Sequence, residues 1–284
     1  MPPRDNPTAR QARLGAELRK LRERAGRPAR EAGAFLGVDQ AKISNIESGR
    51  IGVGEERIRR LAAFYACGDQ DLIEALCGMA REYRGQFWWD EYRGILAPGF
   101  LDVAEMEHHA VHVRSMQAMV IPGLLQTEDY ARTLFEGSVP VLPPDDIDAR
   151  VEHRMRRRVV LERENPVSFT AVIHEAALRM RFGGRDVHRR QLRHLVEAPD
   201  QLPVTVRVVP FANEQFVETT HPMYYAEGVV PQLDTVQVDS LSGGHFVYAE
   251  AELQRYRTLL DNAERVSLGP AESRQLIHDI TREG

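Results

Sequence analysis

Residues 26–49 read GRPAREAGAFLGVDQAKISNIESG. Pro28 suits the first turn of a short helix running to about Leu36. Gly37-Val38 allows a tight turn, Asp39 is a good N-cap for a second helix through about Ser48, and Gly49 closes it. Ala32, Phe35, Leu36, Val38, Ile43 and Ile46 supply an apolar interior for the pair. Two short helices joined this way form a helix-turn-helix pattern. In that layout the first helix braces against a phosphate backbone, and the second lies in the major groove with its N-terminal residues on base edges. The expected exposed face of the second helix offers Gln40, Ala41, Lys42, Ser44 and Asn45. Gln and Asn pair bidentately with adenine, Ala meets a thymine methyl, and Lys suits guanine or phosphate.

Around this stretch the 3.6-residue period continues. Leu14, Leu18, Leu21 and Ala25 mark a helix before it, which Gly26 stops. Ile58, Leu61, Ala62 and Tyr65 mark a helix over about 55–66, and Leu72, Ile73, Leu76 and Met79 one over about 69–83. The expected organisation is a flexible lead (1–10), an all-α five-helix DNA-binding domain (11–83), an aromatic connector (84–104) and a mixed α/β domain (105–284). In the last, Val111/Val113, Phe169/Ala171/Ile173, Val204/Val206/Val208 and Val236/Val238 alternate as strands do. Helical stretches are expected over about 128–135, 145–163, 175–182, 187–196, 250–262 and 271–282.

Charge follows the same division. The 284 residues carry 37 Lys+Arg and 42 Asp+Glu, a net of −5. Residues 1–60 hold 14 Lys+Arg against 8 Asp+Glu, a net of +6, which leaves −11 on the remainder. That polarity turns the first block toward a polyanion and the rest toward other partners. Two cysteines exclude a Cys₄ zinc site or a disulfide scaffold. With no secretory n-region and no run of 18 apolar residues, the chain is expected to be cytoplasmic, without a membrane partner.

Several other groups of residues could in principle carry chemistry. His108 and His112 would share a helical face, but the strand signal beside them spreads them along one strand, and no metal is expected. The stretch 145–163 mixes six arginines with five acids and is followed by a sixth acid, Glu164, and Ile147, Val151, Met155 and Val159 recur every four residues. It is expected to be a solvated, ion-paired helix packed on the core. Phe87, Trp88, Trp89 and Tyr92 are expected as cement near a domain joint rather than a ligand box. Pro122 to Thr127 reads as strand, tight turn and a helix capped by Thr127, a turn that could also line a pocket. Gly183-Gly184 and Gly243-Gly244 lack the spacing of phosphate-binding loops, and no nucleophile elbow is present. No catalytic residue, enzyme activity or cofactor is expected.

Two resemblances add to this reading. Leu14 to about Met79 resembles the five-helix, lambda-repressor-like domain of the Cro/CI-type (XRE family) repressors, through Leu18, Leu21, Arg22, Gly26, Leu36, Gly37, Val38, Ile43, Ser44, Ile46, Glu47 and Gly49. The resemblance implies an ion pair between Arg22 and Glu47, base contacts from Gln40, Ala41 and Asn45, and phosphate contacts from Lys42, Ser44 and Arg50. Many members carry Gln where this chain has Ala29, and a common Ala is Gly33 here; Arg30 is the candidate to take over the phosphate contact. Beyond it, Phe87-Trp88-Trp89, Glu107 to Ala110, Ile121-Pro-Gly-Leu-Leu-Gln-Thr127 with Asp129-Tyr-Ala-Arg132, His174 to Leu178, Gln191-Leu192, Val206 to Pro210 and Glu272-Ser273 resemble actinobacterial regulators related to WhiJ, also described as antitoxin-like. That implies a transcription regulator whose C-terminal domain, with Trp88, Trp89, Pro122, Gly123, Gln126, Thr127 and Tyr130 as its signature, responds to a small-molecule effector or a small acidic partner protein. The expected partners are therefore double-stranded DNA and a second copy of the chain, since one recognition helix touches too few base pairs for genomic specificity. The alternative is an antitoxin-like protein that restrains a small partner and regulates its own operon.

Overall fold

A computed structural model describes residues 6–81, 87–215, 222–240 and 243–283. The chain divides into two units, Met1–Glu91 with Val229–Leu233, and Tyr92–Gly228 with Asp234–Gly284.

The first unit holds α1 (Ala9–Arg24), α2 (Ala29–Leu36), α3 (Gln40–Glu47), α4 (Glu55–Phe64) and α5 (Gln70–Ala80). Helix α1 begins inside the stretch expected to be a flexible lead. The reason is a capping box: Gln11 N–H donates to Thr8 Oγ1 at 3.3 Å, and Thr8 N–H donates to Gln11 Oε1 at 3.2 Å. Thr followed three residues later by Gln carries that signal, and the periodicity reading passed over it. The expected extension of α5 to Tyr83 falls outside the described residues. Leu18, Ile43, Ile58, Leu61 and Leu76 are almost wholly buried and form the core. Val230 joins them from the 229–233 segment. In the same segment the Gln232 carbonyl accepts from Arg13, and Gln232 Nε2 donates to Asp69 Oδ2 at 2.7 Å. Asp69 also caps α5 by accepting from Leu72 N–H at 3.0 Å, so the segment secures α1 and the start of α5 together.

A 3-10 turn spans Trp88–Tyr92, and the second unit then continues with α6 (Pro98–His109), β1 (His112–Gln117), a 3-10 turn at Gly123–Leu125, α7 (Glu128–Glu136), α8 (Pro144–Arg156), α9 (Val159–Glu162), β2 (Ser168–His174), α10 (Glu175–Arg179), α11 (Gly184–Gln201), β3 (Val204–Val209), β4 (Met223–Glu227), β5 (Thr235–Ser240), β6 (Gly243–Val247), α12 (Glu250–Val266) and α13 (Pro270–Glu283). The sheet order is β3-β2-β1-β4-β5-β6, parallel from β1 to β3 and antiparallel from β1 through β6. A five-helix unit followed by a mixed-sheet domain is the fold class the sequence implied. Alternation sorts the two faces: Val113, Phe169, Ala171, Ile173, Val206 and Tyr224 face a core shared with α11 and α13, while Met116, Val172, Met223, Tyr225 and Val236 face α12 through Leu253 and Leu260.

Three expectations need correction. The aromatic connector to 104 contains the start of α6, because Pro98 occupies its first turn, where a missing N–H costs nothing. Strand β4 gave no alternation because Met223, Tyr224, Tyr225 and Ala226 are all buried, on both faces of a sheet interior. The helix expected over 145–163 breaks after Arg156; Val159 lies past the break and is 43% exposed instead of continuing the stripe.

Candidate functional site

Asp39 Oδ1 accepts from Lys42 N–H at 2.7 Å and fixes the start of α3. Gly37, at φ +69°, makes the turn before it in the left-handed region that favours glycine. Ile43 and Ile46 are buried, which turns Gln40, Ala41 and Ser44 out to solvent and leaves Lys42 and Asn45 half-buried. The side-chain amides of Gln40 and Asn45 make no hydrogen bond among the described residues. Ser44 Oγ instead donates to the Gln40 carbonyl at 3.2 Å, so its hydroxyl proton is already placed on α3 itself.

The base of α3 is held by charge and by backbone contact. Arg22 grips Glu47 with two parallel bonds, Nε to Oε1 at 2.6 Å and Nη2 to Oε2 at 3.0 Å, and its Nη1 donates to the Arg27 carbonyl at 2.8 Å. The bonds to Glu47 raise the Arg22 pKa above its ordinary value. Gly15 lets α1 lie against α3: a Cβ there would stand 2.5 Å from the Ile46 carbonyl oxygen and 2.6 Å from that of Glu47. Glycine at this crossing is a functional residue that sequence reasoning missed, since within α1 it looks like any tolerated helix glycine.

Arg30, Lys42 and Arg50 carry no ion pair among the described residues, and neither do Arg24 and Arg57. By contrast Arg19, Arg22, Arg27, Arg59 and Arg81 are each paired with a glutamate. Uncommitted cations flanking a face of uncommitted amides are what a phosphate-and-base surface requires.

The second unit contains a cavity of about 610 Å³ at the carboxyl end of β1, where β2 lies on one side and β4 on the other. The signature segment forms part of its wall. Gln126 Nε2 donates to the Ile121 carbonyl at 2.7 Å, Ile121 N–H donates to Tyr130 Oη at 3.3 Å, and Gln126 Oε1 accepts from Arg154 Nη1 at 2.6 Å. Pro122 is buried beside them. A Cβ on Gly123 would meet Arg154 Nη1 at 3.3 Å, so the glycine leaves room for the guanidinium. Trp88 and Trp89 are not in this lining; Trp89 is buried with its ring stacked on Phe87 at 4.5 Å. Thr127 stands at the N-cap of α7 but does not cap it, contrary to expectation. Its own N–H donates to Gln191 Oε1 at 2.7 Å, and its hydroxyl is buried without a partner among the described residues. Nor is there a strand before the turn: Pro122 leads directly into the 3-10 turn.

Arginines 154 and 157 are the side chains the sequence reading misplaced, as parts of a solvated helix. Arg157 is buried and ion-paired with Glu107, which is fully buried and also accepts from Tyr224 Oη at 2.7 Å. Burial works against the Arg157 charge and Glu107 overcomes it, holding its pKa above the ordinary value. Burial, then the Glu107 carboxylate, raises Tyr224 well above its usual pKa. His153, on the same side of α8, is wholly buried; burial, then Arg157, lowers its pKa to about 3. The unfolded chain therefore takes up a proton near pH 6.5 that the folded one refuses, and stability falls with pH between about 6.5 and 3. The slope from this residue reaches about 1.4 kcal/mol per pH unit. In urea titrations His153→Phe should flatten the wild-type pH profile over that range; parallel profiles would refute the assignment.

His108 and His112 do not lie along one strand as expected. His108 and His109 end α6, and His112 opens β1 beyond the break at Ala110, its Nε2 3.0 Å from Thr170 Oγ1. Among the described residues no cluster of three or more His, Cys, Asp or Glu is placed to hold a metal ion, and no helix is long and apolar enough to cross a membrane.

Comparison with known families matches residues 13–76 to a family described as helix-turn-helix domain. Residues 100–279, more than half of the chain, match the family described as domain of unknown function DUF5753. The chain belongs to the DUF5753 family. No curated protein and no solved structure matches it. The helix-turn-helix match spans α1 to α5, and the chain is a DNA-binding regulator of the helix-turn-helix type. The DUF5753 match takes in the whole sheet, the IPGLLQT segment, Glu107, Arg154 and Arg157. The cavity and its arginines are therefore features of the DUF5753 domain.

Proposed function

We propose that this DUF5753 protein is a Cro/CI-type, WhiJ-like regulator that reads a two-fold operator as a homodimer in the cytoplasm. Its DUF5753 domain senses a small-molecule effector and sets DNA affinity. The observation that carries the reading is α3, on which Gln40 and Ala41 are exposed and the Asn45 amide is free, together with the unpaired cations Lys42 on α3, Arg50 just after it and Arg30 on α2. Gln40, Ala41 and Asn45 are assigned to base edges, and Arg30, Lys42, Ser44 and Arg50 to phosphates. A concave, mostly apolar cavity of about 610 Å³ suits a small molecule rather than a protein partner, which favours the effector over the antitoxin-like alternative. Chain connectivity supports transmission: β4 and β5 contribute Met223, Tyr224, Gln237 and Asp239 to the cavity, and the segment joining them, Val229–Leu233, is built into the helix-turn-helix unit.

Footprinting of the gene's own promoter tests the assignment. Gln40→Ala and Asn45→Ala should each lose protection at particular base pairs, at a cost of about 1–3 kcal/mol per contact, with the fold intact. Arg30→Ala or Arg50→Ala should instead weaken all sequences alike and flatten the dependence of log K on log salt by about 1 per subunit. Wild-type footprints from Gln40→Ala and Asn45→Ala would refute the recognition assignment.

A further inference from the structure

The cavity of the DUF5753 domain holds an arginine whose hydrogen-bonding edge its own residues do not fill. Of the two arginines in its lining, Arg157 is matched by Glu107, and that carboxylate is fully engaged by Arg157 and Tyr224. Arg154 has no ion pair among the described residues. Its Nη1 is spent on Gln126 Oε1, and its Nε is buried with no hydrogen-bond partner. The Nε–Nη2 edge of the guanidinium is thus uncommitted, and that planar edge matches the two oxygens of a carboxylate. Burial, then the neighbouring Arg157, presses the Arg154 pKa down to about 9. An anion beside it would relieve both pressures. Gln126 Oε1 and the Phe135 ring, whose centroid lies 5.1 Å from the Arg154 Cζ, hold the arginine in place before any ligand arrives.

The rest of the lining says what is attached to the anion. Phe100, Val103, Val120, Ile121, Leu134 and Met223 make most of the wall apolar. Asp239, the one free carboxylate of the lining, is exposed and accepts from Gln237. Arg154 lacks an ion pair while Asp239 already acts on it through space, so the lining takes at most a single added negative charge and disfavours a phosphate dianion. We infer that the cavity binds a small amphipathic monocarboxylate, with the carboxylate on Arg154 and the apolar body against the wall formed by α6, α7 and the Ile121 segment. The inference rests on the effector reading for its regulatory consequence, not for the binding itself.

Titration calorimetry on the full-length protein tests it with decanoate, decan-1-ol and decylammonium as probes. Wild type should bind one decanoate per chain, and at least about tenfold more tightly than either uncharged or cationic analogue. Arg154→Gln should lose that preference while still binding decan-1-ol, which shows the cavity is intact; Val103→Trp, with Arg154 unchanged, should lose both. No saturable decanoate binding, equal affinity for the three probes, or undiminished decanoate affinity in Arg154→Gln would each overturn the site. Promoter affinity is then measured with and without decanoate. A change supports the effector reading as well, whereas tight binding with unchanged DNA affinity would keep the site and refute only that reading.

Discussion

Gly15→Ala is expected to destabilise the helix-turn-helix unit by about 2 kcal/mol, although alanine is the better helix former. In an open helix the change would gain up to about 1 kcal/mol. Here the new methyl carbon would lie 2.5–2.7 Å from the backbone of Ile46 and Glu47, and a carbonyl cannot swing aside as a side-chain end can. Overpacking of this kind costs about 1–3 kcal/mol and falls at its upper end when both partners are backbone. Helices α1 and α3 must separate, which strains the Arg22–Glu47 grip at the same crossing. For a unit of this size the net loss corresponds to a fall in Tm of about 8–16 °C. Operator affinity should drop further than stability alone explains, because α3 is the element displaced. Gly78→Ala in α5 is the control: a Cβ there meets nothing within 4 Å, so that variant should be neutral or slightly more stable. Equal melting of the Gly15 and Gly78 variants would show that the crossing yields, and the argument from close approach would fail.

The contrast between these two glycines shows what the sequence made legible. Both sit in amphipathic helices, and nothing local separates them; only the approach of α3 does. Where a signal is local it read correctly from the chain. Asp39, Gly37 and the Ile43/Ile46 spacing defined α3 because cap, turn and period all act within a few residues. The face presenting Gln40 and Ala41 follows from the same spacing.

The cavity was legible only in part. Pro122 to Thr127 reads as a turn from its own residues, and Gly123 and Gln126 line the cavity. Arg154 and Arg157 were assigned to solvent because arginines are numerous in that helix and acids stand beside them. Which of those arginines turn inward depends on Glu107, 50 positions away from Arg157, and on Tyr224, 117 positions from Glu107. Tyr224 sits on the strand that alternation could not find. A carboxylate from the last turn of α6 and a hydroxyl from β4 meet the end of α8 only once the sheet is assembled, so no window of sequence contains the site.

That assembly makes Glu107 the residue whose loss should cost the DUF5753 domain most. Glu107→Ala leaves the Arg157 guanidinium buried without a counterion and the Tyr224 hydroxyl without its acceptor. Breaking a buried pair from one side costs about 3–5 kcal/mol, which for a domain of this size is a fall in Tm of about 6–20 °C. Glu107→Gln keeps an acceptor for Tyr224 and one bond to Arg157 but no charge, so it should fall between. The decisive comparison is the double variant Glu107→Leu with Arg157→Met. Removing both charges removes the desolvation penalty together with the attraction, and such replacements are often neutral or stabilising. The double variant should recover most of the stability lost in Glu107→Ala, while the amplitude of its recovery measures the uncompensated charge. Should it melt as low as the single variant, the loss would come from packing around α6 and not from the stranded Arg157. The same double variant also isolates Arg154: with Arg157 gone, its one cationic neighbour in the cavity disappears, and any decanoate preference that persists belongs to Arg154 alone.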